Sequence, residues 1–160
     1  MISLRSASSG ACNESARRTG SSDAVSAFHV LEHVPDPVAL LRRMLDWLAP
    51  GGLLVVEVPN AGGLGAAVFG RAWSGLELPR HLSHFTPASL ERAVGAAGGR
   101  IVWQRQQAKP RHYLWSLRLW LRDHRRERLA RVTEWRPAYG VIKLALELAL
   151  PVVAGTGRGE

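Results

Sequence analysis

The chain has 160 residues and a mass of 17.5 kDa, which at ~100 to 200 residues per domain holds one domain and excludes a second. Hydrophobic residues at 46% and charged residues at 21% exclude a disordered or fibrous protein, and the lone Cys12 excludes an internal disulfide or a multi-thiolate zinc site, so a cytoplasmic setting is expected. The net charge of +8 lies in the second half, with 14 basic and 6 acidic residues over 81–160 against 7 of each over 1–80, so an anionic partner is admitted only there.

Residues 1–22 carry seven Ser, three Arg and no apolar run longer than two residues. They lack the apolar segment of an export signal and read as a disordered or non-native tail outside the fold. Residues 24–30, with Val25, Phe28 and Val30, read as a buried strand with Pro35-Asp36-Pro37 in its exit loop. Asp36 as cap, Pro37 at the first helical position and Val38, Leu41, Leu45 and Leu48 at helical spacing predict a helix over 37–48, stopped by Pro50-Gly51-Gly52. Residues 53–58 form the near-continuous apolar run of a parallel strand covered on both faces, completing a βαβ unit. A Gly-rich stretch follows, then a helix capped by Thr86-Pro87 and ended by Gly98-Gly99, a third strand over 100–104, and a basic amphipathic helix over 112–131. A last apolar helix over 139–150 is too short for a bilayer needing ~20 apolar residues.

Three clusters carry chemistry. His29-Val30-Leu31-Glu32-His33 matches the H-x-x-E-H of inverzincin metalloproteases. That motif needs both histidines one turn apart on a helix, whereas His29 ends a strand and Pro35 and Pro37 limit any helix to about one turn. The carboxyl end of a strand is instead where open α/β sheets bind ligands. Gly63-Leu64-Gly65-Ala66-Ala67-Val68 is a partial dinucleotide motif with Val68 at its third glycine position, and reads as a flexible loop. Arg80, His81 and His84 share a connecting loop and are candidates for substrate contact; satisfied surface histidines are the competing reading.

Three blocks in order resemble a class I S-adenosylmethionine-dependent methyltransferase: residues 23–37 with Leu31-Glu32-His33-Val34-Pro35-Asp36-Pro37, residues 48–60, and residues 80–87 with Arg80-His81-Leu82-Ser83-His84-Phe85. The resemblance runs from Asp23 to about Trp103 and is to bacterial methyltransferase-domain proteins. It implies a Rossmann-like α/β fold, mostly parallel with flanking helices, in which this chain supplies the later strands of the sheet. The family's first glycine-rich loop and the acidic residue after its second strand find no match, and residues 157–160 resemble the turn before the last strand. The chain is therefore expected to be a C-terminal portion, with residues 23–160 a partial domain and 24–30 an unpaired sheet edge.

The resemblance also implies roles. S-adenosylmethionine is the expected cofactor, with Phe28 and His29 lining its pocket. His29, His84 and His81 are the candidate catalytic residues, and Glu32, His33, Asn60 and Arg80 the candidate acceptor contacts. In similar quinone-biosynthesis O-methyltransferases an E-x-x-E-H run holds magnesium; His29 stands here at the first Glu, and no metal site is assigned. The implied reaction is methyl transfer to a small or lipid-linked O, N or C nucleophile. The alternative is a non-catalytic remnant binding a partner through its basic half. For residues 112–131 three readings compete: a lid over the acceptor pocket, a peripheral membrane helix, and, ranked last, a nucleic-acid contact.

Overall fold

The computed structural model describes residues 1–8, 20–133 and 135–154. Four strands, β1 (Ile2–Ser8), β2 (Ser22–Phe28), β3 (Leu48–Val58) and β4 (Gly99–Gln106), form one sheet in the spatial order β2-β3-β1-β4. β2 and β3 are parallel, with Val25 opposite Leu54 and Ala27 opposite Val56. The helix between them, α1 (Pro37–Asp46), is capped as the sequence predicts, Ala39 N–H donating to Asp36 Oδ1 at 2.9 Å. The βαβ unit is thus present, and among the described residues β2 is an edge paired on one side only.

β1 inserts between β3 and β4 and runs antiparallel to both. The expectation that residues 1–22 stay outside the fold is corrected for Ile2–Ser8, and Ser22 opens β2; residues 9–19 lie outside the described residues. Ile2 and Leu4 alternate with Ser3 and Arg5, a two-residue period that marks a strand without any apolar run. Ile2 is fully buried.

The core gathers Leu41, Met44 and Leu45 of α1 with Leu90 and Val94 of α3 (Pro87–Ala96) against Leu54, Val56 and Val58 of β3. The alternate residues Leu53, Val55 and Glu57 are only partly buried. The described helices therefore seal one face of β3, where the apolar run had suggested two. The Gly-rich stretch contains a short helix, α2 (Leu64–Phe69), rather than a loop throughout.

The helix expected over 112–131 is two helices, α4 (Pro110–Asp123) and α5 (Glu127–Val132). Arg125 adopts a φ of 55°, its N–H bonds Arg122 O at 3.0 Å, and Arg126 N–H bonds Leu121 O at 2.8 Å. This pair of bonds closes a helix C-terminus around a left-handed residue. Glycine ordinarily marks that position, so an arginine there hides the stop from a sequence reading. A final helix, α6 (Arg136–Ala154), extends the expected 139–150.

Candidate functional site

The site begins where β2 ends. His29 follows Phe28 with a φ of 56°, a region that costs a non-glycine residue ~1 to 3 kcal/mol. Its N–H is tied to Glu57 O on β3 at 2.9 Å. The chain then makes one 3₁₀ turn, Leu31–His33, anchored by fully buried Leu31. No α-helix carries His29 and His33 together, so the peptidase geometry is not formed. Instead His29 sits between two carboxylates, Nδ1 at 3.3 Å from Glu32 Oε1 and Nε2 at 3.4 Å from Glu57 Oε1. Lys109 Nζ pairs with the same Glu57 oxygen at 2.5 Å.

The histidine loop docks on this turn through its backbone. Leu82 N–H donates to Glu32 O at 2.7 Å, and Ala61 N–H donates to Phe85 O at 2.7 Å. His81 is buried, with Nδ1 against Gly75 O at 2.8 Å, and His33 Nδ1 meets Arg80 O at 3.0 Å. The rings of His33 and His81 meet edge to face at 4.7 Å between centroids. His84 is exposed and its Nε2 is taken by Leu76 O at 3.1 Å. Arg80 is exposed and pairs with Glu77. Asn60 is buried with both amide atoms committed to the fold, Nδ2 donating to Gln106 Oε1 at 2.8 Å and Oδ1 accepting from Gly62 N–H at 3.0 Å.

A cavity of about 440 Å³ opens beside these groups, within the ~300 to 1,000 Å³ of small-molecule sites. His29, His33 and His81 line it, together with Arg71, Trp73, Arg111, His112 and Trp115. Of the sequence candidates, Glu32 lies buried behind it. Phe28, Asn60, Arg80 and His84 are not among its lining residues. Phe28 stands exposed next to His29. α4 supplies one wall, which is the position a lid over the pocket requires.

His112 and Glu57 were missed by the sequence reading. His112 stacks on His29 at 6.4 Å between ring centroids, and its pKa is pushed down to about 4, first by burial and then by Arg111. Its Nε2 is buried with no hydrogen-bond partner. Hidden in a basic helix, His112 gave no signal; Glu57, the one acid in a run of six otherwise apolar residues, gave a legible one. The partial dinucleotide motif has another use. A Cβ on Gly65 would lie 2.6 Å from Trp73 Nε1, and Gly75 is likewise pressed against the Trp73 ring. These glycines seat an indole in the cavity wall.

The groups present fit one implied partner and not the other. An exposed Phe28 ring at the carboxyl end of a parallel strand, next in sequence to the cavity-lining His29, suits a cofactor that carries a cationic sulfonium and an aromatic base. Magnesium takes an octahedron of oxygens, whereas His29 replaces the first carboxylate of the E-x-x-E-H run and turns both ring nitrogens to Glu32 and Glu57.

Comparison with known proteins identifies the family. A family profile described as "Methyltransferase domain" matches residues 7–104. Over 72 residues the chain is 40% identical to the ubiquinone biosynthesis O-methyltransferase of Xanthomonas oryzae pv. oryzae, a match covering 44% of this chain and 30% of that protein. Over 89 residues it is 36% identical to the ubiquinone biosynthesis O-methyltransferase of Xanthomonas axonopodis pv. citri, covering 52% and 37% respectively. The matched segments thus span about a third of the length of these relatives. With the profile spanning more than half of its residues and a βαβ unit carrying a histidine-lined cavity at its strand ends, the chain belongs to the methyltransferase-domain family of class I S-adenosylmethionine-dependent enzymes.

Proposed function

We propose that this protein transfers the methyl group of S-adenosylmethionine to a nucleophile on a small or lipid-linked acceptor seated in the 440 Å³ cavity. The observation that carries this reading is His29, which faces the cavity from the strand end between Glu32 and Glu57. S-adenosylmethionine, when bound, supplies an electrophilic methyl group. Likeness to O-methyltransferases favours an oxygen acceptor, whose lone pair forms the new bond in line as the carbon–sulfur bond breaks.

The chain's own residues orient the acceptor and take its proton. Glu32 holds His29 Nδ1, leaving Nε2 as the atom that faces Glu57 across 3.4 Å. An acceptor hydroxyl can replace that long contact, because Glu57 keeps Lys109 as its partner. The imidazolium formed on proton uptake then lies between two carboxylates, as a general base requires. His84 is disfavoured in this role, since it does not line the cavity and its Nε2 is already bound to Leu76 O. Trp73, Trp115 and Leu119 give the cavity apolar walls that hold the acceptor and keep water from competing with it.

The proposed setting is cytoplasmic with peripheral membrane contact. Among the described residues no helix is long and apolar enough to cross a membrane. Titration with S-adenosylhomocysteine, read on histidine ring proton resonances, tests the reading. Saturable shifts of His29 and His112 are expected at about millimolar ligand, ~4 kcal/mol, because the matched blocks include no glycine-rich loop. A purely partner-binding remnant would leave both resonances unmoved at ~10 mM.

A further inference from the structure

We propose that the acceptor this cavity takes is anionic, an aromatic or apolar body bearing a carboxylate or phosphate group that Arg111, assisted by Arg71, holds in place. The inference rests on the reading of the cavity as the acceptor's seat and names the class of acceptor that fits it. The ionisable lining is two arginines, four histidines and a single acid, Glu77. That acid is already taken, one oxygen by Arg80 Nη1 at 2.6 Å and the other by His81 Nε2 at 3.3 Å. The nearby carboxylates outside the lining, Glu57 and Glu32, face Lys109 and His29. The arginines therefore put an excess of positive charge on the cavity that its own side chains do not answer.

The two arginines are held differently. Among the described residues Arg111 makes no ion pair. Its charge reaches into the wall, where it is the second cause, after burial, that keeps His112 neutral. Arg71 pairs with Asp123 only across 3.4 Å, the two side chains being 89% and 45% exposed, and so exposed a pair is readily exchanged for a ligand anion. Trp73, Trp115 and Leu119 make the rest of this lining apolar. Low-dielectric walls carrying one sign of charge focus their field on the space within. A planar guanidinium meets carboxylate and phosphate oxygens two at a time, which turns that field into recognition of a particular group.

The same wall links the anion to the reaction. Arg111 is next in the chain to His112, whose ring stacks on His29 at 6.4 Å between centroids. Arg111 and the proposed base are thus carried by adjoining parts of the wall, and an anion held at one fixes which hydroxyl of the acceptor meets the other.

Titration of the full chain with 4-hydroxybenzoate, 4-hydroxyphenyl phosphate and the uncharged 4-hydroxybenzamide, read on the indole N–H resonances of Trp73 and Trp115, tests the inference. At low salt at least one anion should bind about tenfold or more tighter than the amide, and the tighter of the two identifies the group as carboxylate or phosphate. The advantage should shrink in ~0.5 M sodium chloride, fall to about threefold or less in Arg111→Gln, and be partly restored in Arg111→Lys. Arg111 is exposed, so these substitutions change the contact and not the core. Equal affinity for all three ligands, no shift of either indole up to ~10 mM, an advantage undiminished in Arg111→Gln, or shifts confined to Trp135 beyond α5 would overturn it. The titration contains no S-adenosylmethionine, so a failure of methyl transfer leaves its outcome standing, and a missing charge preference leaves transfer to neutral phenols standing.

Discussion

His112 enters the cavity wall uncharged, and this has a cost in acid. Its pKa in the folded chain is pushed down to about 4, chiefly by burial, from the ordinary 6.5. Between those values the unfolded chain binds a proton that the folded chain refuses. The contribution to stability is therefore complete above about pH 6.5 and drains away as the pH falls toward 4. His112→Gln removes this titration. Thermal unfolding at about pH 7.5 and pH 5 should show a smaller loss of Tm in the variant than in the parent chain; equal losses would show that the histidine is not held neutral. At this scale, residues whose chemistry is local were legible in the sequence. Asp36 and Thr86 cap their helices as expected, and His29, His33 and His81 line the cavity. Asn60 was not legible, because its amide is spent on Gln106 and Gly62, contacts that depend on where β4 arrives.

The elements divide in the same way, by whether their limits are written in side chains or in backbone pairing. α1 and α3 announce themselves through proline at the first turn and apolar spacing. β1 is recognisable only from its two-residue period, and its place between β3 and β4 comes from long-range pairing. The break between α4 and α5 depends on one left-handed arginine. That break changes the membrane reading of residues 112–131. Leu114 and Leu121 of α4 are buried while its Trp115, Leu119 and Arg122 stay exposed, and the exposed apolar and cationic surface continues beyond α4 through Arg126, Arg128, Leu129, Arg131, Trp135, Val141 and Leu144. Cosedimentation with anionic vesicles should be strong at low salt and fall steeply with added salt, each Arg near the surface contributing about 1 kcal/mol. Arg126→Glu with Arg128→Glu should reduce it about tenfold or more, ~1 kcal/mol or more per charge. Equal, weak binding to neutral and anionic vesicles would exclude this contact.

For the whole molecule, the family that three blocks of the sequence resemble is the one whose profile matches residues 7–104, and the βαβ unit those blocks build carries the candidate site at its strand ends. The cavity itself was not readable. It needs Trp73 seated on Gly65 and Gly75, and α4 folded back from far along the sequence so that His112 meets His29. The edge position of β2 was expected, whereas the antiparallel β1 on the other side of β3 was not. The most direct measurement of the proposed activity uses S-adenosylmethionine labelled in its methyl group, at millimolar concentration, with a soluble phenol as the oxygen acceptor. Labelled methyl ether is expected from the parent chain, with a loss of ~10² to 10⁴ in rate for His29→Gln. Transfer at an unchanged rate in His29→Gln, or no product above the protein-free control, would contradict the proposal.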